Sequence, residues 1–241
     1  MTERIVCVGD SITRGQVSVD YVQLLRRRFQ DRPYTFVNHG VNYDLAYNVA
    51  GRLDRIVAED PHHVIVLVGT NDANATLGEA NRRLMTLIKR LPVRPSAQWY
   101  ADNLAAILQG LEERTYARVA VLSLPVIGED LDSVPLRRAG EYSAIAQEVA
   151  AAHNADYLPL HERQVEDLRT SGHRPGTHYR PGMLLSSTAS TQHFVLRRSL
   201  DEIAERRGLR LTTDTVHQNS RGAGMIADLI EEHLMVRSGH A

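Results

Sequence analysis

The chain has 241 residues, of which 43% are hydrophobic and 24% are charged, and its formal net charge is -1. This composition is typical of a globular protein with a sizeable core, and the balanced charge gives no sign of nucleic acid or an anionic membrane as a partner. Cys7 is the only cysteine, so no internal disulfide forms, and its apolar neighbours predict a core residue. No apolar run approaches the about 18 residues of a membrane span, and residues 1–4 leave no room for a signal peptide, so we expect a cytoplasmic protein.

Apolar runs typical of buried strands alternate with segments of helical periodicity. Strands are predicted at 5–8, 34–38, 64–68, 119–124 and 155–159. Helices are predicted at 18–30, 44–59, 135–153, 194–207 and 222–235, with one or two more within 77–113. Such alternation favours parallel βαβ units. The sequence therefore predicts one α/β domain over residues 1–241, a three-layer α/β/α sandwich around a parallel sheet of about five strands.

Two segments depart from this alternation. Residues 169–192 are rich in Gly and Pro and contain a Ser/Thr run at 186–191, so a loop-rich insertion is predicted there. It forms either a lid or wall for a substrate, or a mobile surface insertion. A frayed tail is predicted at 237–241.

Polar or small residues follow three of the predicted strands, at Ser11, Gly40 and Asn71. Carboxyl ends of parallel strands meet at one edge of a sheet, where ligands bind. A serine becomes a nucleophile only beside a base that a third group orients. Asp214 and His217 are three residues apart and would share a face of one helical turn. Simpler interpretations stay open: Ser11 as a helix cap, Gly40 and Asn71 as turn residues, and His217 as a surface histidine.

Four short blocks occur in order: Gly9-Asp10-Ser11-Ile12-Thr13, Gly40 in its Asn-His-Gly-Val-Asn context, Gly69-Thr70-Asn71-Asp72, and Asp214-x-x-His217. Together they resemble the signature blocks of the GDSL, or SGNH, hydrolase family. The resemblance implies a flavodoxin-like fold and a serine esterase or lipase-like acylhydrolase.

The resemblance also implies residue roles. Ser11 is expected as nucleophile, His217 as base and Asp214 as its orienting carboxylate. The backbone N–H groups of Ser11 and Gly40 and the Asn71 amide are expected to form the oxyanion hole. One position departs from the family pattern, because Tyr43 stands where the family often has glycine.

The expected partner is a small-molecule acyl ester, and no cofactor is predicted. A metal site is not expected either, because no His-x-x-x-His pair or similar ligand spacing occurs, and glycine-rich nucleotide loops are also missing. Two alternatives use the same cleft: a non-hydrolytic binding module and an acyltransferase. Acyl chain length, leaving group and oligomeric state stay open.

Overall fold

Five parallel strands form the central sheet of this computed structural model, which describes the backbone of residues 2–238 and side chains up to residue 235. The strands are β1 (Glu3–Gly9), β2 (Tyr34–Gly40), β3 (His63–Leu67), β4 (Arg118–Leu122) and β5 (Asp156–Leu158). Their order across the sheet is β2-β1-β3-β4-β5, and all neighbours run parallel. This is the flavodoxin-like order that the family resemblance implies.

Helices occupy most of the connections between the strands. They are α1 (Ser11–Arg14), α2 (Tyr21–Arg28), α3 (Ala46–Ala50), α4 (Leu53–Val57), α5 (Thr70–Ala75), α6 (Glu79–Lys89), α7 (Ala97–Arg114), α8 (Val134–Ala152), α9 (Leu160–Thr170), α10 (Leu184–Phe194), α11 (Leu200–Arg206) and α12 (Ser220–Ser238).

The sheet is apolar on both faces, and each face has its own core. In β1, Val6 and Val8 belong to a cluster with α3, α4, α7 and α8, whereas Ile5 and Cys7 belong to a cluster with α2 and α12. Alternate residues of a strand face opposite sides, so these clusters lie on the two sides of the sheet. The predicted three-layer α/β/α sandwich is confirmed. Burial raises the pKa of the Cys7 thiol to about 12, as befits a core cysteine.

Strand order fixes where a ligand binds. Strand β2 lies on one side of β1, and β3 lies on the other side. The chain therefore reverses its direction across the sheet at β1. In open α/β sheets the crevice at such a reversal, outside the carboxyl ends of the strands, is the usual binding site. The segments that begin there are α1, with Ser11, and α5, with Asn71.

The structure corrects three predicted elements. The helix expected over 44–59 is two short helices, α3 and α4, because Gly51 and Arg52 interrupt it. The segment 169–192 is not loop throughout, because α10 begins at Leu184 and includes the Ser/Thr run. Helix α12 extends to Ser238, and the rest of the predicted frayed tail lies outside the described residues.

Candidate active site

Ser11 is placed by a tight turn at the end of β1. Asp10 caps α1, because its carboxylate accepts a hydrogen bond from the Ile12 N–H at 2.9 Å. A Cβ atom on Gly9 would lie 2.3 Å from the Leu67 carbonyl oxygen, so only glycine fits between β1 and β3 here. Ser11 is therefore the first residue of a helix that starts directly at the sheet edge.

His217 and Asp214 meet Ser11 as the sequence predicts. The Ser11 Oγ lies 3.0 Å from His217 Nε2, and His217 Nδ1 lies 2.8 Å from Asp214 Oδ2. The other carboxylate oxygen of Asp214 accepts hydrogen bonds from the backbone N–H groups of Val216 and His217, at 3.1 and 2.8 Å. The carboxylate is thus fixed at both oxygens and holds the imidazole against the serine.

Asp214 and His217 do not lie on a helical turn, so the prediction that they share a helix face is wrong. Residues 213–217 form a closed loop, in which the Thr213 N–H donates to the His217 carbonyl at 2.7 Å. Thr215 has φ of 77°, which is unusual for a β-branched residue. Its carbonyl accepts from the Gly128 N–H at 2.7 Å, so the loop after β4 stabilises this strained conformation.

Burial and charge act against each other on the titratable groups of the site. Burial alone would lower the pKa of His217, but the charge and hydrogen bond of Asp214 outweigh it and raise the pKa above its usual value. Burial would raise the pKa of Asp214, but the charge and hydrogen bonds of His217 hold it below its usual value. Asp10 lacks such compensation, and burial raises its pKa to about 7 against the hydrogen bond from Ile12.

Gly40, a predicted oxyanion-hole residue, lies outside the cavity beside Ser11. Its N–H donates to the side-chain oxygen of Asn38 at 2.9 Å. Its small size has another reason, since a Cβ there would lie 2.1 Å from the Arg14 nitrogen. The structure therefore assigns Gly40 to close packing of β2 against the end of α1.

Asn71 and Tyr43 both line the cavity beside Ser11. The Asn71 Nδ2 donates to the Asp44 carbonyl at 3.0 Å and, over a longer distance of 3.3 Å, to Asp10 Oδ2. Tyr43 has φ of 63°, the left-handed conformation that glycine adopts readily. Within residues 2–238, no acceptor is bonded to the backbone N–H of Tyr43 or of Ser11.

Two small cavities meet at Ser11 and His217. The first, about 50 Å³, has an apolar side formed by Tyr43, Leu84, Met85, Tyr179, Met183 and Leu185. The second, about 60 Å³, is lined on its polar side by Asn42, Ser186, Ser187 and Ser190. Tyr43 lines both and lies between them.

The segment 169–192 supplies one wall of this site. Tyr179 bonds to Asn74 and accepts from the Asn81 amide at 2.7 Å, and the Gly182 N–H donates to the Asn81 side chain at 2.7 Å. Arg207 joins α10 to the loop of His217, because its guanidinium donates to the carbonyls of Leu185 and Thr213 at 3.1 and 3.0 Å. The sequence did not single out these wall residues individually, because a lone Asn, Tyr or Arg belongs to no recognisable motif.

A buried carboxylate braces the segment ahead of Asp214. Glu129 accepts from the backbone N–H groups of Arg210, Leu211 and Thr212 at 2.6, 2.9 and 2.7 Å. It belongs to the loop after β4 and is itself buried. The loop of His217 is thus attached to a second strand end.

In the part of the chain that the structure describes, no three His, Cys, Asp or Glu side chains are grouped as metal ligands.

A family model described as GDSL-like lipase/acylhydrolase matches residues 7–181. The match spans more than half of the chain, so the chain belongs to the GDSL-like lipase/acylhydrolase family, as its ordered blocks predict. This membership supports an ester-hydrolysing enzyme of the SGNH type. Asp214 and His217 lie beyond the matched residues. No curated protein matches the chain.

Solved structures share the fold at low identity. The acetyl xylan esterase AlAXEase is 18% identical with a TM-score of 0.69, over 95% of this chain and 98% of its own. A lipase/acylhydrolase from Enterococcus faecalis is 20% identical with a TM-score of 0.63, over 98% and 97%. The acetylxylan esterase Axe2 from Geobacillus stearothermophilus is 15% identical with a TM-score of 0.65, over 95% of this chain and 93% of its own.

No helix among the described residues combines the length and apolarity needed to cross a membrane.

Proposed function

We propose that this protein hydrolyses carboxylic esters with Ser11 as the nucleophile. The observation that carries the proposal is the continuous contact from Ser11 Oγ to His217 Nε2 at 3.0 Å and from His217 Nδ1 to Asp214 at 2.8 Å. A serine hydroxyl needs such a base, and the base needs an orienting group, before it attacks a carbonyl at neutral pH. The solved structures of Axe2 include catalytic mutants in which a serine or a histidine is replaced by alanine, which agrees with these roles.

The proposed reaction has two halves. His217 accepts the Ser11 proton as Oγ attacks the ester carbonyl, and the same proton passes to the departing alcohol as the acyl–oxygen bond breaks. A water molecule then gives a proton to His217 and attacks the acyl-enzyme. The carboxylic acid leaves and Ser11 regains its proton. Asp214 supports the imidazolium formed in each half.

The proposed oxyanion hole differs from the expected one in a single donor. Ser11 N–H and the Asn71 amide keep their roles, and the backbone N–H of Tyr43 replaces that of Gly40. Two observations support the exchange: Gly40 N–H is bonded to Asn38, whereas Tyr43 lines the cavity and has the glycine-like φ of 63°. Losing one such donor in other enzymes raises the barrier by about 2.7–4 kcal/mol.

The proposed substrate has a short acyl group and a polar alcohol. A cavity of about 50 Å³ with Leu84, Met85 and Met183 on its wall suits a few apolar carbon atoms. The neighbouring cavity is lined by Ser186, Ser187 and Ser190. The hydroxyl groups of Ser186 and Ser190 donate within α10, so toward a hydroxylated leaving group they can act as acceptors. Acetylated xylan and acetylated xylooligosaccharides, the substrates of two structural neighbours, combine these two properties.

The test compares wild type with Ser11→Ala on p-nitrophenyl acetate and on an acetylated sugar. We expect hydrolysis by wild type and a fall in kcat of at least about a thousandfold in the variant, with an unchanged melting temperature. Equal turnover by the two proteins would exclude Ser11. Product analysis with added alcohols distinguishes hydrolysis from acyl transfer, and a wild type inactive on every ester would favour the binding module.

A further inference from the structure

We infer that Lys89 is a positioning residue that holds the loop of residues 41–45 in the one conformation in which the Tyr43 N–H serves the oxyanion hole. This inference rests on the proposed function and extends it to a residue outside the cavity. Lys89 ends α6, whereas the loop follows β2, so the contact joins two separate parts of the chain.

Tyr43 needs an external constraint. Its φ of 63° is a conformation that side chains with a Cβ adopt reluctantly. Such strained conformations persist only where the surroundings enforce them. The Tyr43 ring is partly buried against the cluster of Leu45, Ala75, Met85 and Leu91, which fixes the side chain but leaves the peptide groups on either side of it to be fixed separately.

Lys89 bonds to both neighbours of Tyr43. Its Nζ lies 3.0 Å from the Asn42 carbonyl oxygen and 2.7 Å from Asp44 Oδ1. The Asn42 carbonyl belongs to the same peptide group as the Tyr43 N–H, so holding that oxygen sets the direction of the N–H. One ammonium group therefore fixes the peptide that carries the proposed donor and the residue that follows it.

The same loop orients a second proposed donor. The other oxygen of the Asp44 carboxylate accepts from Arg52 at 2.8 Å, and the Asp44 carbonyl accepts from the Asn71 amide at 3.0 Å. Asp44 is buried, so its charge is balanced by Lys89 and Arg52 together. A displaced loop would move the Tyr43 N–H and release the Asn71 amide at once.

The residue type at position 89 is informative. The chain has 28 Lys and Arg residues, and Lys89 is the only lysine among them. An ammonium is a compact charge with three donors, whereas a guanidinium is a planar fork. A carbonyl oxygen and a carboxylate oxygen that approach one nitrogen at 3.0 and 2.7 Å fit the ammonium. Arginine, the ordinary cation of this protein, has a longer side chain and a planar head group, so we expect it to reproduce the two contacts less well.

The test is a double-mutant cycle between Lys89→Met and Tyr43→Gly, with kcat and KM measured on p-nitrophenyl acetate. In the wild-type background we expect Lys89→Met to lower kcat at least about tenfold with KM changed less than about threefold. Glycine adopts positive φ without a clamp, so in the Tyr43→Gly background the same substitution should lower kcat by less than about threefold. Lys89→Arg should also lower kcat in the wild-type background, but not in the Tyr43→Gly background.

Controls separate positioning from general damage and from failure of the proposed mechanism. Arg83→Met, on the same helix and largely exposed in its pair with Glu79, should change neither constant. If Lys89→Met fails to fold, the Lys89→Arg pair with and without Tyr43→Gly gives the same comparison. An equal loss of kcat in both backgrounds would overturn the inference, as would no loss in either. A Ser11→Ala protein that keeps full activity would overturn the proposed function instead.

Discussion

The Ser11 hydroxyl and the His217 imidazole lie 3.0 Å apart, although 206 residues separate them in the chain. Two hydrogen bonds between the segment that follows α1 and Gln218, the residue after His217, help to explain this proximity. The Gln218 N–H donates to the buried Ser18 hydroxyl at 2.9 Å, and the Val19 N–H donates to the Gln218 carbonyl at 2.9 Å. The loop that follows α1 therefore holds the loop of His217, and α12 is packed on α2 just beyond.

Ser18→Ala should weaken this attachment. It leaves the Gln218 N–H without its acceptor in a buried site, so we expect a loss of about 1–3 kcal/mol of unfolding free energy. Because His217 is the adjacent residue, kcat should fall as well. Thr115→Ala, which removes the hydrogen bond to the Ala117 N–H just ahead of β4, at the opposite edge of the sheet, is the matched control and should lower stability alone. A Ser18→Ala protein with lower stability and unchanged kcat would show that this hydrogen bond stabilises the fold but does not position His217.

Activity should rise with pH. The proposed mechanism needs neutral His217, and Asp214 raises the pKa of His217 above its usual value of 6.5 despite burial. The midpoint of the kcat/KM profile is therefore expected above about 6.5, with activity lost as the pH falls through it. Asp214→Asn removes the charge that raises the pKa, so it should move the midpoint downward and lower kcat. A profile that is flat from about pH 5 to 8 would exclude His217 as the base.

Asp72→Asn should stabilise the protein at alkaline pH. Burial raises the pKa of Asp72 to about 7 against the hydrogen bond from Ala46, and its Oδ1 is buried without a partner among the described residues. A raised carboxyl pKa adds stability fully below the ordinary value of 3.8, and this stability is lost as the pH rises to about 7. Asparagine stays neutral and still accepts from Ala46.

The melting temperature of Asp72→Asn should therefore exceed that of wild type by roughly 5 °C at about pH 8, with a smaller gap at about pH 5. Calorimetric scans at the two pH values measure this difference directly. A gap of the same size at both, or a less stable variant at about pH 8, would show that the Asp72 carboxylate is not the source of the pH dependence.

The acyl cavity should limit chain length. Wild type is expected to prefer p-nitrophenyl acetate over the octanoate by at least about tenfold in kcat/KM, because the cavity beside Ser11 holds about 50 Å³. Met85→Ala removes part of the buried wall and should narrow that preference. Leu87→Ala, two residues along the same helix and 78% exposed, should leave it unchanged. A preference that does not respond to Met85 would place the acyl group elsewhere.

Much of the fold follows from patterns that are local in sequence. Unbroken apolar runs identify strands covered on both faces, and parallel strands bring Ser11 and Asn71 to one edge wherever the intervening helices lie. The candidate nucleophile, base and carboxylate could therefore be predicted from sequence. The turn that joins Asp214 to His217 could not, because it depends on the Thr213–His217 backbone bond and on a strained Thr215.

Helix α10 shows why composition misled at 186–191. Its hydroxyl groups donate to carbonyls one turn back, Thr188 to Leu184 and Ser190 to Ser186, each at 2.8 Å. These bonds satisfy the side chains within a helix instead of a loop. The proposed exchange of the Gly40 N–H for the Tyr43 N–H had one signal in the sequence, because Tyr43 stands where the family often has glycine, but that signal does not assign the donor. The assignment depends on which N–H group is already bonded, and residue identity does not reveal that.

Labelling with a fluorophosphonate tests the central claim most directly, because the reagent reacts with a serine only when a neighbouring base activates it. After proteolysis, mass spectrometry should place the adduct on the peptide that contains Ser11 in wild type. His217→Ala should react far more slowly and Ser11→Ala not at all. An adduct on another residue, or equal labelling of wild type and His217→Ala, would contradict the account.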